Sequence, residues 1–163
     1  MQQILLSLLL VSLCPVVSSV EPTSCEMLYV VESIPDNLTY PDGSVSNPTT
    51  TSALIQLLGA AQKSLDVAEY YFSLRPDPPA EDGSDSDGRG VWEGLYGTGK
   101  RLKAAGGGLR IVHNVPSKEF PDSDSKELAE KGAAEVRYLD FEKLIGGGII
   151  HTKLWIADQT HFY

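Results

Sequence analysis

Apolar residues recur along this chain in short runs typical of strands, separated by longer stretches with helical spacing. Helices are predicted from 51 or 52 to about 63, from 91 to about 104, and from 123 or 124 to 131. The predicted strands span 27–33, 65–72, 109–113, 134–139 and 149–158. Alternation of strands and helices predicts an α/β fold, with a mixed, largely parallel sheet flanked by helices.

The predicted helices each have one apolar face. The first is expected to bury Leu54, Leu57, Leu58 and Ala61, and the second Trp92, Leu95 and Leu102. Glycine triplets at 106–108 and 146–148 follow helical or polar stretches, and neither continues into the Lys-Ser/Thr of a phosphate-binding loop. Both triplets are therefore predicted to be turns.

The amino terminus has the pattern of a secretory signal. Residues 4–14 are apolar, and Val17-Ser18-Ser19 offers short side chains for cleavage, so 1–19 is predicted to be a signal peptide and 20–163 the domain. The alternative is an uncleaved membrane anchor over residues 4–17. Entry into the secretory pathway would make Asn37 of Asn37-Leu38-Thr39 a glycosylation site and leave Cys25 as an odd cysteine, either unpaired or bridged.

The chain is acidic, with a formal charge of −9 from 22 acidic and 13 basic residues. Such a charge argues against a nonspecific nucleic-acid binder that works through bulk positive charge, although a local cationic pocket stays compatible with it. Five of the acidic residues lie between 76 and 90, which is predicted to be a solvated loop, and no metal-ligand spacing is found there or elsewhere.

One cluster of chemically capable residues stands out in the last predicted strand. His151 and Lys153 are two residues apart, so in a strand both side chains would lie on the same face. An imidazole can attack phosphorus or protonate a leaving oxygen, and a neighbouring ammonium can neutralise phosphate oxygens. Asp158 lies on the other face beside a predicted turn, where it is better placed to hold the site than to contact substrate.

Other polar and aromatic residues near the predicted strand ends are assigned to structure. His113 and His161 are interpreted as packing or surface histidines. Tyr70 and Tyr71 are expected to divide between the core and the site face of their strand, so that one could line a substrate groove, although core packing is favoured. Glu69 receives no role.

The segment from His151 to Tyr163 resembles the first catalytic motif of the phospholipase D superfamily, His-x-Lys-x-x-x-x-Asp. Residues 31–35 and 64–72 are similar to the animal endolysosomal branch of that superfamily, whose members are five-prime exonucleases on single-stranded nucleic acid. The resemblance covers nearly everything from Cys25 onward.

The resemblance implies a phosphodiesterase that needs no cofactor or metal and forms a phosphohistidine. His151 would be the nucleophile or the general acid, Lys153 would bind the phosphate oxygens of the substrate, and Asp158 would support the site. The substrate would be single-stranded nucleic acid or a phospholipid. The resemblance also implies an endoplasmic reticulum or endolysosomal lumen, or secretion, as the location.

Family members have two such motifs, in two lobes that share one active site, whereas one motif is found here. Residues 20–163 are therefore expected to be the N-terminal lobe of a truncated product, which would be poorly active alone. The cysteine at 25 would pair with one further along a longer chain. The alternatives are an enzyme with one motif that forms a homodimer, or a non-catalytic secreted module.

Overall fold

The computed structural model describes residues 28–35 and 38–163. The chain divides into two units, Met1–Val30 and Val31–Tyr163. The helices and strands described here all belong to the second unit. The predicted signal peptide, Cys25 and the sequon residue Asn37 lie outside the described residues, so these assignments stay predictions.

A mixed five-stranded sheet forms the centre of the fold. Its strands are β1 (Ser64–Glu69), β2 (Gly108–Asn114), β3 (Glu135–Leu139), β4 (Leu154–Ala157) and β5 (His161–Phe162). The spatial order is β3-β2-β1-β4-β5, in which β1, β2 and β3 are parallel and β4 is antiparallel to both of its neighbours. The predicted α/β class and mixed, largely parallel sheet are confirmed.

Three helices, α1 (Thr50–Ala60), α2 (Ser86–Ala104) and α3 (Asp124–Glu130), cover one face of this sheet and enclose the hydrophobic core. A short α4 (Phe141–Ile145) follows β3 and has no buried residue. The side chains predicted to face inward from the first two helices are buried. They pack on the strand residues Leu65, Val67, Leu109, Ile111 and Trp155.

The opposite face of the sheet is more exposed. Its side chains line an open cavity of about 260 Å³ that contains two ion pairs, Arg110 with Asp66 across strands and Arg137 with Glu135. The apolar side chains of this face are Ala68, Val112, Leu154 and Ile156.

Two predictions for the start of the fold are wrong, one of a strand and one of the first residue of a helix. The strand predicted over 27–33 is absent from the described part of that range, where Glu32 makes a single bridge to Thr49. The carboxylate of Glu32 instead accepts hydrogen bonds from the backbone and side chain of Asn47, at 3.1 and 3.0 Å. Helix α1 begins at Thr50, because the hydroxyl of Thr49 accepts a hydrogen bond from the backbone N–H of Ser52.

The acidic stretch is partly helical, although 76–90 was predicted to be a loop throughout. Helix α2 begins at Ser86, with Asp85 at its N-cap and Asp87 in its first turn. Carboxylates are favourable at a helix amino terminus, and Asp85 also forms an ion pair of 2.5 Å with Arg89. The acidic residues there stabilise the helix start as well as contacting solvent.

The strand containing the motif is shorter than predicted. It begins at Leu154 instead of 149, because its partner β1 ends at Glu69 and Leu154 already pairs with Ala68. Gly146, Gly147 and Gly148 all have positive φ, in agreement with the predicted turn. Residues 149–153 therefore lie in an irregular segment past the end of the sheet.

Candidate active site

His151 and Lys153 lie side by side with both side chains exposed. The Nζ of Lys153 is 3.3 Å from Nε2 and 3.4 Å from Nδ1 of His151. The same ammonium is 3.4 Å from the backbone oxygen of His151. The predicted juxtaposition of imidazole and amine is found, although the two residues precede the strand instead of lying within it.

The pair occupies the edge of the sheet where active sites of parallel sheets are found. Strands β1 and β2 end there at Glu69 and Asn114. The side-chain oxygen of Asn114 accepts a hydrogen bond of 3.3 Å from the backbone N–H of Ile150, the residue before His151. The end of β2 thus helps to hold the segment that presents the imidazole.

Asp158 lies at the other end of β4, and its contacts are with a different part of the fold. Its carboxylate accepts hydrogen bonds of 2.7, 2.7 and 2.8 Å from the backbone N–H groups of Gln62, Lys63 and Ser64. These donors hold the pKa of Asp158 below its usual value. The structure therefore brings His151 and Lys153 together and places Asp158 at the connection between α1 and β1.

The turn predicted at Asp158 and Gln159 is present, and both residues have positive φ. Aspartate tolerates that conformation better than most residues do. The backbone N–H of Thr160 closes the turn on the carbonyl of Ala157 at 3.0 Å.

A cluster of three aromatic rings contacts the pair through Tyr70, and the place of Phe120 in it was not predicted from the sequence. The Tyr70 ring centroid is 5.3 Å from that of His151 and 5.4 Å from that of Phe120. Tyr71 stacks on Phe120 at 4.9 Å and 24°, and its side chain is 47% exposed. The preference for core packing is wrong for Tyr71, which is exposed because β1 ends before it, whereas Tyr70 is half-buried and lies against His151.

Glu69 is the second residue that the sequence left unassigned. Its Oε1 accepts a hydrogen bond of 2.6 Å from the indole Nε1 of Trp155. Burial raises the pKa of Glu69, outweighing that hydrogen bond and the positive charge of Lys153. Trp155 itself is buried, so it does not share the exposed surface of His151 and Lys153.

His113 belongs to the interior, as predicted for a packing histidine, and only 1% of it is exposed. Its Nε2 lies 2.9 Å from Ser125 Oγ and 3.3 Å from Asp122 Oδ2, while Nδ1 contacts the backbone oxygen of Asn114. Serine and aspartate meet the same ring nitrogen, so the group is not a serine–histidine–aspartate relay. It is a buried polar cluster behind the site.

Within the cluster, burial acts to raise the pKa of Asp122. Hydrogen bonds from His113, Ser125 and Tyr138 outweigh it and hold the pKa at about 2. The second histidine assigned to structure, His161, is exposed on β5 and contacts the hydroxyl of Thr160.

Among residues 28–35 and 38–163, no three His, Cys, Asp or Glu side chains are grouped so that they could hold a metal ion. In the same residues, no helix is both long and apolar enough to cross a membrane.

Comparison with known proteins assigns the chain to a family. It is 39% identical over 140 residues to the 5'-3' exonuclease PLD3 of Bos taurus and of Homo sapiens, which is 85% of this chain and 27% of each relative. It is 34% identical over 153 residues to Phospholipase D Y of Dictyostelium discoideum, which is 91% of this chain and 32% of that protein. The chain belongs to the phospholipase D superfamily. No family model matches it.

Within the phospholipase D superfamily the chain is PLD3-like, which confirms the resemblance drawn from the motif. It spans about a quarter of the length of the PLD3 relatives that it matches. The fold is consistent with half of a phospholipase D fold. The catalytic roles of His151, Lys153 and Asp158 stay predictions.

Proposed function

We propose that this chain carries a phosphodiesterase site in which His151 acts on phosphorus or on the leaving oxygen and Lys153 binds the phosphate. The observation that carries the proposal is the exposed imidazole–ammonium pair, with 3.3 Å between Lys153 Nζ and His151 Nε2. A phosphate that reached both groups would find a nucleophile or proton donor and a positive charge for its non-bridging oxygens. Asp158 supports the pair by fixing the far end of β4.

The proposed reaction has two steps. With His151 as nucleophile, a ring nitrogen forms a bond to phosphorus, the bond to the leaving oxygen breaks, and that oxygen takes a proton from a second imidazole. Water then adds to phosphorus, the nitrogen–phosphorus bond breaks, and the second imidazole accepts the proton of the water. With the roles exchanged, His151 is the acid and then the base.

The second imidazole is proposed to come from outside the described site, because His113 is buried and His161 lies on β5. It would be supplied by a second lobe of a longer product, as in two-motif members of the superfamily, or by a second copy of this chain. We therefore expect the chain alone to be poorly active as a monomer.

The proposed substrate is single-stranded nucleic acid, cleaved from the five-prime end. The relatives named 5'-3' exonuclease PLD3 support it. A phospholipid is the second candidate, supported by the relative named Phospholipase D Y. The proposed location is the secretory pathway, in the endolysosomal lumen or outside the cell.

A hydrolysis assay tests the site. Methyl p-nitrophenyl phosphate and a labelled single-stranded oligonucleotide are incubated with the chain and with His151→Ala and Lys153→Ala. The exposed histidine of β5 provides the matched control, His161→Ala. We expect any turnover of the wild type to fall at least about 100-fold in His151→Ala, the scale of acid–base catalysis, and to persist in the control. Turnover that survives His151→Ala would refute the proposal.

The homodimer is a second candidate assembly, favoured by the open face of the sheet. Exposed Leu154 and half-buried Ala68, Val112 and Ile156 lie there between the two ion pairs. Light scattering after size exclusion, with Leu154→Glu as a disruptive variant, measures the oligomeric state. An active dimer that loses both assembly and turnover on substitution supports the homodimer, whereas an inactive monomer favours the missing lobe or a non-catalytic module.

A further inference from the structure

We propose that Tyr71 and Phe120 form a stacking platform for the nucleobase next to the scissile phosphate. The inference rests on the proposed phosphodiesterase and specifies its substrate class, a single-stranded nucleic acid. The platform is defined as the stacked rings of Tyr71 and Phe120, with Tyr70 between them and His151.

The rings are oriented for stacking. Tyr71 and Phe120 are inclined by 24° with centroids 4.9 Å apart, so the two rings are stacked and an outer face of the stack can receive a third planar group. Their side chains are 47% and 37% exposed, which leaves ring area available to a third planar group. Aromatic side chains bind single strands in this way, because every base has a flat π surface.

The loop after β2 holds Phe120 in place. The backbone N–H of Phe120 donates to the hydroxyl of Ser117 at 3.1 Å, and its carbonyl accepts from the backbone N–H of Ser117 at 3.0 Å. These two bonds close a small turn that presents the ring to Tyr71. The platform therefore exists before a ligand binds, and binding need not pay for ordering it.

Tyr70 connects the platform to the catalytic pair. Its ring lies 5.3 Å from that of His151 and 5.4 Å from that of Phe120, and the ammonium of Lys153 is 5.8 Å from its centre. A phosphate bound at Lys153 would thus have its nearest base directed along Tyr70 towards the platform.

The surroundings favour a base over an acyl chain. The cavity beside the rings, of about 130 Å³, is lined by polar side chains as well as aromatic ones: Asn114, Ser117, Glu119 and Asp122. Asn114, Ser117 and Asp122 already have partners within the protein, whereas the exposed Glu119 can accept a hydrogen bond from the edge of a base, which an acyl chain does not offer. The formal charge of −9 also disfavours a long backbone-tracking groove, so we assign recognition to a single nucleotide.

Binding of a base-bearing probe and a base-free probe tests the platform. The probes are fluorescein-labelled tetranucleotides with a five-prime phosphate, one with thymine at the first position and one abasic there. Polarisation is measured at low salt with the His151→Ala chain as the common background, so that turnover does not consume the probe. We expect the thymine probe to bind about tenfold more tightly than the abasic probe.

Tyr71→Leu and Phe120→Leu, each in that background, should bring the two affinities to within about twofold. Phe162→Leu is the matched control, because Phe162 is an exposed phenylalanine on β5, and it should retain the preference. Far-ultraviolet circular dichroism verifies that each variant is folded.

Equal affinities in the background, no binding of either probe, or a preference that survives both leucine variants would overturn the platform. Competition by short-chain phosphatidylglycerol that requires the same two rings, without a thymine preference, would overturn it in favour of a lipid site. None of these outcomes depends on hydrolysis. A failure of the phosphodiesterase proposal would instead appear as turnover insensitive to His151→Ala.

Discussion

The indole nitrogen of Trp155 donates a hydrogen bond of 2.6 Å to the carboxylate of Glu69. This bond joins the second residue of β4 to the last residue of β1. It holds a half-buried carboxyl group within the electrostatic range of the Lys153 ammonium. The cation that is proposed to bind phosphate thus has an acidic side chain as a neighbour.

The first prediction concerns the pH dependence of stability at Glu69. Burial raises its pKa above the ordinary 4.5, so the folded protein holds this proton more tightly than the unfolded chain. The contribution to stability is fully present below 4.5 and is lost as the pH rises through the raised value. Glu69→Gln keeps an acceptor for Trp155 and should be increasingly stable relative to wild type between pH 4.5 and 7, measured by urea unfolding.

The control for this substitution is Glu142→Gln, at an exposed position on α4. It should follow the wild-type pH dependence. A Glu69→Gln variant that does the same would show that the carboxylate is not buried in solution.

The second prediction concerns the buried polar cluster at Asp122, whose pKa is lowered to about 2 from 3.8. The folded protein therefore releases this proton more readily than the unfolded chain. The stabilisation is fully present above 3.8 and is lost as the pH falls towards 2. Asp122→Asn should cost about 2 kcal/mol at pH 7, because His113 and Tyr138 lose a charged acceptor.

The difference in unfolding free energy between wild type and Asp122→Asn should then shrink as the pH is lowered from about 4 to about 2. Chemical denaturation across that range measures it. If this free-energy difference stayed constant, the pKa of Asp122 would be the same in the folded and the unfolded chain.

The third prediction compares two glycines of α2 that differ in their surroundings. A Cβ at Gly99 would lie 2.1 Å from the carbonyl oxygen of Ala133, whereas a Cβ at Gly97 would meet nothing within 4 Å. Gly99→Ala should therefore destabilise the fold by roughly 3 kcal/mol, because neither backbone can move cheaply. Gly97→Ala should stabilise it by about 0.5–1 kcal/mol through helix propensity. Thermal unfolding of both variants measures the contrast, and equal effects would contradict the close approach of α2 to Ala133.

The elements of the fold core were predictable from local pattern. The apolar faces of α1 and α2 follow the helical period, and β1 and β2 were found within three residues of their predicted ends. The strand predicted near the start was not found in the described residues, since Glu32 uses its side chain on Asn47 and makes one bridge only. Local β propensity does not reveal whether a neighbouring strand exists.

The site was predictable only in part. The proximity of His151 and Lys153 follows from their spacing, because a separation of two residues keeps side chains close in any extended segment. The position of Phe120 could not be predicted, since it depends on how the loop after β2 turns back over the residues that follow β1. For Glu69, the sequence predicted a position within a strand but neither the end of β1 nor the hydrogen bond from the indole of Trp155.

The four residues between Lys153 and Asp158 in the motif are the four residues of β4. Asp158 is tied to three backbone N–H groups at the connection between α1 and β1, and the four residues of β4 span the interval between this anchor and Lys153. Inserting or deleting one residue between Lys153 and Asp158 would put residues of β4 on the wrong face of the sheet and shift His151 and Lys153 together relative to the ends of β1 and β2. The number of residues between Lys153 and Asp158 is thus fixed by the length of β4. An aspartate far from the proposed reaction can therefore be indispensable, because it anchors the strand that positions the lysine.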